Sequence, residues 1–540
     1  MRGEAPATPG TSLPPTGDGM SRESTWRSLW LPVVVGAAVI GGLTAVVVLI
    51  RAGGNPQDAS NWLVQWELRS SDNGVLFQLM QDVAARRPID WSFSPQVFVF
   101  PELPLSALAF GLTGGNIYGY YVAVAVLNNV LLFVTLLGLV RVLCPLASPV
   151  ESTLRATISA VPLVALPLVG TSWIFSFHLA PTYYFGMYLA LLAAPILVLT
   201  PSRSVRVSLG LALALTAASN PLTVLFAAPG GALVFGLLLS RRGLRAMIRP
   251  AIGVGILLLA AFGVRLLLTP LQGTSPFTYM NLHVFARRLA QILPYFEYQA
   301  SDPAARVVLV AGAVLAVLCL LASLAAAVVV WRRGATRPLL GAVYLGLIPL
   351  GGVGMTYLGM ITHYLYFWPV LVLPFVLCLL ALPRSALRAG GIVAAATLAC
   401  LAASTGLVGG NLGHLDRYLG YRNAETMCIA DAVPHGAIGY ATFSDARRLS
   451  LPSAGGFRLI QLWADATPDF WLTNRAAVRS EAGTFFYLNG SGDEPQIDPT
   501  VVRRLFGSPD IVSRCSGTQS VWRYTDSAKL KRIASYYRVG

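Results

Sequence analysis

The sequence predicts a mainly α protein: a polytopic membrane bundle of about eleven helices, followed by a C-terminal α/β domain outside the cytoplasm. Hydrophobic residues make up 55% of the 540 residues and charged residues 12%, whereas a soluble protein carries about a quarter of charged residues. Residues 411–540 nevertheless hold 15 of the 39 Lys and Arg residues and 12 of the 24 Asp and Glu residues. A soluble tail therefore follows an apolar body.

The apolar body begins after residues 1–28, which are rich in Pro, Gly, Ser and Thr near their start and predict a disordered cytoplasmic tail. Residues 29–409 then form the predicted transmembrane domain. A spanning helix needs about 20 mostly apolar residues, and the candidate spans are 29–50, 118–141, 154–172, 183–200, 207–218, 221–239, 251–269, 306–331, 338–357, 363–382 and 391–409. The run 207–218 is short for a span. We expect it to form a hairpin with 221–239 that turns at Asn220-Pro221, which gives two spans; a single broken helix would give one.

Arginine clusters between the apolar runs predict the topology. The formal net charge of +15 is distributed in these short clusters, which is typical of cytoplasmic loops and not of a nucleic-acid-binding surface. With the N-terminus inside, eleven spans place these clusters in the cytoplasm and residues 410–540 outside. This topology requires residues 98–113 not to cross the membrane.

The segment 51–117, called the first loop below, contains six acids and its own predicted structure. From Asp72 to Arg87 the apolar residues recur at helical spacing, which predicts a helix lying on the membrane surface. Pro101-Glu102 begins a second short apolar helix, since proline is tolerated at a first helical position. Acids are scarce elsewhere in the apolar body, so the first loop is the first candidate for chemistry.

The C-terminal domain, residues 410–540, alternates β-like segments with one polar helix candidate at Thr500 to Phe506. It is long enough for a small core of its own. Its two cysteines, Cys428 and Cys515, predict a disulfide if the domain lies outside the cytoplasm, and two unpaired buried thiols are the alternative. The β-like segments are 437–443, 457–463, 484–489 and 519–524.

The first loop also carries a motif. It runs from Ser71-Asp72-Asn73 through Gln81-Asp82 and Trp91-Ser92-Phe93-Ser94-Pro95 to Phe100-Pro101-Glu102-Leu103. With one helix before it and many spans after it, this pattern resembles the GT-C superfamily of polyprenyl-phosphate-sugar glycosyltransferases, in particular poorly characterised bacterial members. The resemblance implies transfer of a sugar from a lipid phosphate to an acceptor hydroxyl, with inversion and with a carboxylate as the base.

Three acids are the candidate catalytic residues under this resemblance: Asp72, Asp82 and Glu102. A hydroxyl is a weak nucleophile, so a positioned general base is needed. Each acid also has a structural explanation. Asp72 could cap the following helix, Asp82 could form an exposed ion pair with Arg86, and Glu102 fits the first turn of a helix, where the helix dipole favours acids.

The departing phosphate requires cations or hydrogen-bond donors, and arginine suits this task. Arg265 is the first candidate, because an arginine inside an apolar span is costly unless it has a partner or reaches the interface. Further candidates are Arg287, Arg288 and His363. A divalent metal ion is left open, although no motif of Cys or His with metal-ligand spacing occurs.

The sequence therefore predicts an integral enzyme of the cytoplasmic membrane, a hexosyl or pentosyl transferase, that modifies an envelope glycan, lipid or protein on the outer face. Its expected partners are a polyprenyl-phosphate sugar and membrane lipid, without nucleic acid. A non-catalytic envelope assembly protein is the alternative. A transporter of lipid-linked sugar is a weaker one, because it would require ionisable residues deep in several spans.

Overall fold

The computed structural model describes most of the apolar body and most of the C-terminal region. The described residues are 22–52, 72–168, 177–180, 183–273, 290, 294, 296–297, 300, 303–357, 368–380, 382–387, 391, 420, 422–490 and 496–539.

Helices dominate residues 22–380. They are α1 (Arg22–Ala52), α2 (Val75–Ala84), α3 (Glu102–Leu112), α4 (Ile117–Leu143), α5 (Pro149–Ala165), α6 (Tyr183–Leu199), α7 (Arg203–Ser219), α8 (Leu222–Leu268), α9 (Pro303–Arg333), α10 (Arg337–Gly346), α11 (Ile348–Tyr357) and α12 (Trp368–Leu380).

The apolar helices are those of a membrane-embedded protein. Five helices in the described part of the chain are long and apolar enough to cross a membrane. Large apolar side chains on α8 and α9, among them Leu259, Leu267 and Val307, are exposed on the protein surface, where lipid tails would cover them. The count of eleven spans stays a prediction, because the last predicted span, 391–409, lies almost entirely outside the described residues.

Residues 207–239 belong to two separate helices, α7 and α8. Helix α7 ends at Ser219, and the side chain of Asn220 accepts a hydrogen bond from the N–H of Leu222, 3.2 Å away, where α8 begins. Helix α8 is then 47 residues long, or about 70 Å, which is more than twice the hydrocarbon thickness of about 30 Å. It breaks at Gly243, whose φ of +76° is a left-handed conformation, as expected between the predicted spans 221–239 and 251–269.

The two short helices of the first loop pack beside the bundle. Helix α2 occupies the middle of the stretch that was predicted as helical, with Val75, Leu76 and Leu79 buried. Helix α3 has 11 residues, about 16 Å in length, which is too short to cross a bilayer. A short strand, β1 (Trp91–Ser92), lies between them.

The C-terminal region forms a mixed sheet with helices. Its elements are α13 (Ala424–Ala432), β2 (Ala437–Thr442), α14 (Phe443–Ser450), β3 (Phe457–Leu462), β4 (Thr473–Asn474), α15 (Arg475–Ser480), β5 (Phe485–Leu488), α16 (Pro499–Phe506), β6 (Ile511–Arg514), β7 (Ser520–Arg523) and α17 (Ser527–Val539).

Five of these strands form one sheet in the order β3-β2-β5-β7-β6. Strand β2 is parallel to β3 and β5, and β7 is antiparallel to β5 and β6. Strand β6 was not predicted, because it lies at the sheet edge with Ile511 and Val512 exposed and lacks a buried face. A disulfide joins Cys428 on α13 to Cys515 just after β6, with the two Cα atoms 5.6 Å apart.

Candidate functional site

The first loop is joined to the C-terminal region by strand pairing. Trp91 lies opposite Asn474 and Ser92 opposite Thr473 in an antiparallel pair. The N–H of Arg475 donates to the carbonyl oxygen of Asp90 over 2.7 Å. We call the contact between residues 72–93 and residues 443–475 the junction. It brings residues nearly 400 positions apart in the sequence into one site.

Asp82 lies at the centre of the junction and is fully buried. Its Oδ1 accepts hydrogen bonds from Arg87 Nη1 at 3.1 Å and Arg458 Nη2 at 3.4 Å. Its Oδ2 accepts from Trp91 Nε1 at 3.2 Å and Asn474 Nδ2 at 2.9 Å. Because a buried carboxylate is tolerated only when it is paired and hydrogen-bonded, these four donors offset the cost of burying Asp82.

The ion pair of Asp82 differs from the exposed pair with Arg86 that the spacing suggested. The partner within the first loop is Arg87, and the carboxylate is buried. Helix α2 ends at Ala84, and Arg86 adopts a left-handed conformation with φ +51°. Helical i,i+4 geometry therefore no longer applies at Arg86.

Asp72 is half-buried at the start of the loop segment that leads into α2. The cap residue of α2 is Gly74, and no side-chain hydrogen bond caps this helix. The backbone carbonyl of Asp72, not its carboxylate, accepts from the N–H of Val75 at 3.3 Å. The cap position of α2 is thus that of Gly74, two residues after Asp72.

Arg447, from α14, is the cation that lies against this segment. It is buried, and its Nε donates to Gln78 Oε1 at 2.8 Å. Its Nη2 donates to Gln461 Oε1 at 3.1 Å and also to the carbonyl of Leu472. A Cβ atom placed on Gly74 would lie 3.5 Å from both Cβ and Cδ of Arg447. Arg447 therefore lies close to Gly74, two residues after Asp72.

The electrostatics of Arg447 reflect that position. Burial lowers the pKa of Arg447 to about 10, while the negative charges of Asp72, Asp469 and Asp82 act in the opposite direction. Asp72 has the largest effect of the three. The guanidinium stays protonated at neutral pH and supplies a fixed positive charge to the Asp72 region.

Glu102 is the first residue of α3, so the expected position in a first helical turn is observed. Its side chain is buried, and its Oε1 accepts from the N–H of Gly186 at 3.0 Å. Burial raises the pKa of Glu102 to about 7, and hydrogen bonds from the N–H groups of Glu102 and Gly186 lower it by less. Glu102 can therefore hold or release a proton near neutral pH.

Arg265 is half-buried near the end of α8 and binds backbone carbonyls. Its Nη1 donates to the carbonyl of Ala218 at 3.2 Å, and its Nη2 donates to the carbonyl of Pro95. The same stretch of the first loop is held by Ser219, whose carbonyl accepts from Val97 N–H at 3.0 Å. Arg265 is thus placed at the first loop.

The other predicted phosphate-binding residues, Arg287, Arg288 and His363, lie outside the described residues. Within the described ranges, no three His, Cys, Asp or Glu side chains are grouped as metal ligands would be. The positive charges that face Asp72 and Asp82 there come from arginine side chains.

Several residues of the junction were not predicted. Arg447, Arg458 and Asn474 have no sequence signal, because their relation to the first loop depends on tertiary structure alone. Asp90, which was not singled out from the sequence, pairs with Arg475, whose Nε donates to Asp90 Oδ1 at 3.0 Å.

Comparison with known proteins gives structural neighbours only. No protein-family model and no curated protein matches the sequence. Two crystal structures of ArnT from Cupriavidus metallidurans are similar at 14% sequence identity. The structure bound to undecaprenyl phosphate has a TM-score of 0.43 and covers 92% of this chain and 98% of its own. The apo structure has a TM-score of 0.42, with 95% and 99% covered.

Proposed function

We propose that this chain is an integral membrane glycosyltransferase of GT-C type, which transfers a sugar from a polyprenyl-phosphate carrier to an envelope acceptor. The observation that carries the proposal is the position of Asp72. This half-buried carboxylate lies two residues before the cap position of α2 and interacts electrostatically with the buried cation Arg447. A partly accessible carboxylate near a fixed positive charge suits a general base.

In the proposed reaction, the oxygen of the acceptor hydroxyl attacks the anomeric carbon of the sugar, and Asp72 accepts the proton of that hydroxyl. The bond from that carbon to the phosphate oxygen breaks, and the lipid phosphate leaves with the bonding electrons, so that the configuration inverts. Arg265 is the proposed donor-phosphate cation, because it contacts the first loop at Pro95. Arg287, Arg288 and His363 are proposed to assist it.

The roles of the other two acids follow from their environments. Glu102, with a pKa of about 7, is proposed as the second acid of the site because it can exchange a proton at neutral pH. Asp82 stays a weaker proposal for that role. Its two oxygens already accept four hydrogen bonds, including two from arginines, and this arrangement favours holding the loop in place.

We propose that the junction lies on the outer face of the cytoplasmic membrane, with residues 1–28 in the cytoplasm. Two features support this orientation. Arginine clusters flank the ends of the spans away from the junction, for example Arg241 and Arg242 beside the break at Gly243, which fits cytoplasmic loops. The disulfide between Cys428 and Cys515 is typical of an oxidising compartment.

The test is a deletion strain complemented with Asp72→Asn. Lipid-linked sugars are extracted and quantified by mass spectrometry. The deletion should accumulate one polyprenyl-phosphate sugar, and the wild-type chain should restore its consumption. Asp72→Asn should lose transfer by about 10²-fold or more, because a general base contributes about 10² to 10⁴. Protein level in the membrane should not change.

The matched control is Asp498→Asn. Asp498 caps α16, where its Oδ1 accepts from the N–H of Thr500 at 2.7 Å. Asn caps a helix about as well as Asp, so Asp498→Asn should keep full transfer. Full transfer by Asp72→Asn would exclude Asp72 as the base. A deletion strain without an accumulated lipid-linked sugar would instead favour an envelope assembly protein.

A further inference from the structure

The residue that connects the C-terminal region to Asp72 is Arg447. Its hydrogen bond to Gln78 and its contact with Gly74 place two points of the Asp72–Gln78 segment against one guanidinium-bearing side chain. These contacts cross 369 positions of the sequence. The segment that carries Asp72 is therefore fixed from a region that is not part of the first loop.

Several acidic groups interact with the buried charge of Arg447. The groups that interact with it electrostatically are Asp72, Asp469, Asp82 and Tyr121. Asp82 is bound by Arg87 and Arg458. The Oδ1 atom of Asp469 accepts from the N–H of Trp471 at 2.9 Å. Asp72 has the strongest interaction with Arg447 among the acids.

We propose that Arg447 is a positioning residue for the Asp72 base: it fixes the segment Asp72–Gln78 and keeps a positive charge beside the Asp72 carboxylate. The proposal rests on the proposed function. It implies that the base is assembled only when α14 of the C-terminal region is docked on the first loop. The reacting atoms do not touch Arg447.

Two consequences are measurable. A nearby cation lowers the pKa of a carboxyl by about 1 to 3, so loss of Arg447 should raise the pKa of Asp72. The rate of a reaction that needs the ionised base then falls at low pH and recovers at high pH. Loss of the contacts to Gly74 and Gln78 should also loosen α2, because local opening follows the loss of packing and hydrogen bonds.

The first experiment measures transfer between pH 4 and 8 in membranes of the deletion strain, which contain the accumulated lipid-linked sugar. Arg447→Met should move the acidic limb of the pH–rate profile upward by about one pH unit. Arg447→Lys keeps the charge and loses the planar fork, so it should lower the rate without moving the limb. Arg503→Met is the control, because Arg503 lies over the ring of Trp522 and not at the junction. The pH–rate profile of this variant should equal that of the wild type.

The second experiment does not depend on catalysis. Hydrogen exchange of the purified full-length protein should show amides 75–84 exchanging about tenfold faster in Arg447→Met than in wild type. Gln78→Leu removes the acceptor and retains the charge; it should also speed exchange, while its acidic limb stays in place. If Arg447→Met does not fold, the measurements on Gln78→Leu test the proposal instead.

The outcomes are separable. A uniform loss of rate at all pH values in Arg447→Met would show a structural residue and overturn the positioning role. Unchanged exchange at amides 75–84 in both variants would overturn it as well. If wild-type membranes transfer no sugar, the proposed function fails, and the exchange data alone then decide whether Arg447 fixes the segment.

Discussion

Two carboxylates each bind two arginines, and their surroundings differ. Asp82, on α2, is fully buried and binds Arg87 and Arg458. Glu151, on the helix after α4, is 17% exposed and binds Arg155 at 3.0 Å and Arg384 at 3.3 Å. The two carboxylates should differ in energy, because Asp82 has no contact with solvent, whereas Glu151 and its partner Arg384, which is 69% exposed, both reach it.

The difference shows what holds the first loop. An exposed ion pair contributes about 1 kcal/mol or less, so the pair of Glu151 with Arg384, which is 69% exposed, adds little to stability. Removing one partner from a buried pair leaves a charge without compensation, at a cost of about 3 to 5 kcal/mol. The junction around Asp82 is thus the contact on which the position of the first loop depends.

The largest effect is expected for Asp82→Asn. Arg87 and Arg458 would keep their charges without the carboxylate, so we expect a loss of about 3 to 5 kcal/mol in the free energy of unfolding. Chemical denaturation of the detergent-solubilised protein, followed by the fluorescence of Trp91 and the other tryptophans, measures it. A loss below about 1 kcal/mol would place Asp82 in the same class as Glu151.

Glu102 adds a third carboxyl to the comparison of Asp82 with Glu151. It is buried, and its described hydrogen bonds come from backbone N–H groups, so we test it with Glu102→Gln. The folded-state pKa of Glu102 is raised from 4.5 to about 7. Its protonated form therefore stabilises the fold below about pH 4.5, and this stabilisation is lost as the pH rises to 7 and above. The expected decrease in the free energy of unfolding between these pH values is roughly 3 kcal/mol.

The measurement is the thermal midpoint of the detergent-solubilised protein at pH 4.5 and 7.5. Gln remains neutral and can still accept from Gly186, so Glu102→Gln should show a smaller fall in midpoint than the wild type. Asp498→Asn, which alters an exposed cap, is the control and should follow the wild type. An equal fall in thermal midpoint between pH 4.5 and 7.5 for Glu102→Gln and the wild type would contradict the raised pKa of Glu102.

The smallest effect is expected for Glu151→Gln. Because Arg384 is largely exposed and Arg155 keeps its hydrogen bonds to the carbonyls of Leu380 and Leu382, the loss should be about 1 kcal/mol or less. Denaturation at low and high salt checks this, since screening weakens exposed pairs. A loss as large as that of Asp82→Asn would remove the distinction between the two clusters.

Local features of the fold were predictable from the sequence, while the junction was not. Apolar periodicity predicted α2, and the proline before Glu102 predicted α3. Asn220-Pro221 predicted the break between α7 and α8. The partners Arg447, Arg458 and Asn474 could not be found in this way, because strand β4 has two residues and its pairing with β1 depends on tertiary structure. Arg87 was missed as a partner because the helix ends before it.

The pairing of Trp91 with Asn474 also constrains the order of biosynthesis. The ribosome completes strand β1 nearly 400 residues before strand β4. At about 5 to 20 residues per second, the first loop waits roughly 20 to 80 seconds for its partner. During that interval Asp82 has Arg87 in its own loop but neither Arg458 nor Asn474. The junction of the nascent chain is thus completed last, and translation arrest before residue 458 would leave an inserted bundle without it.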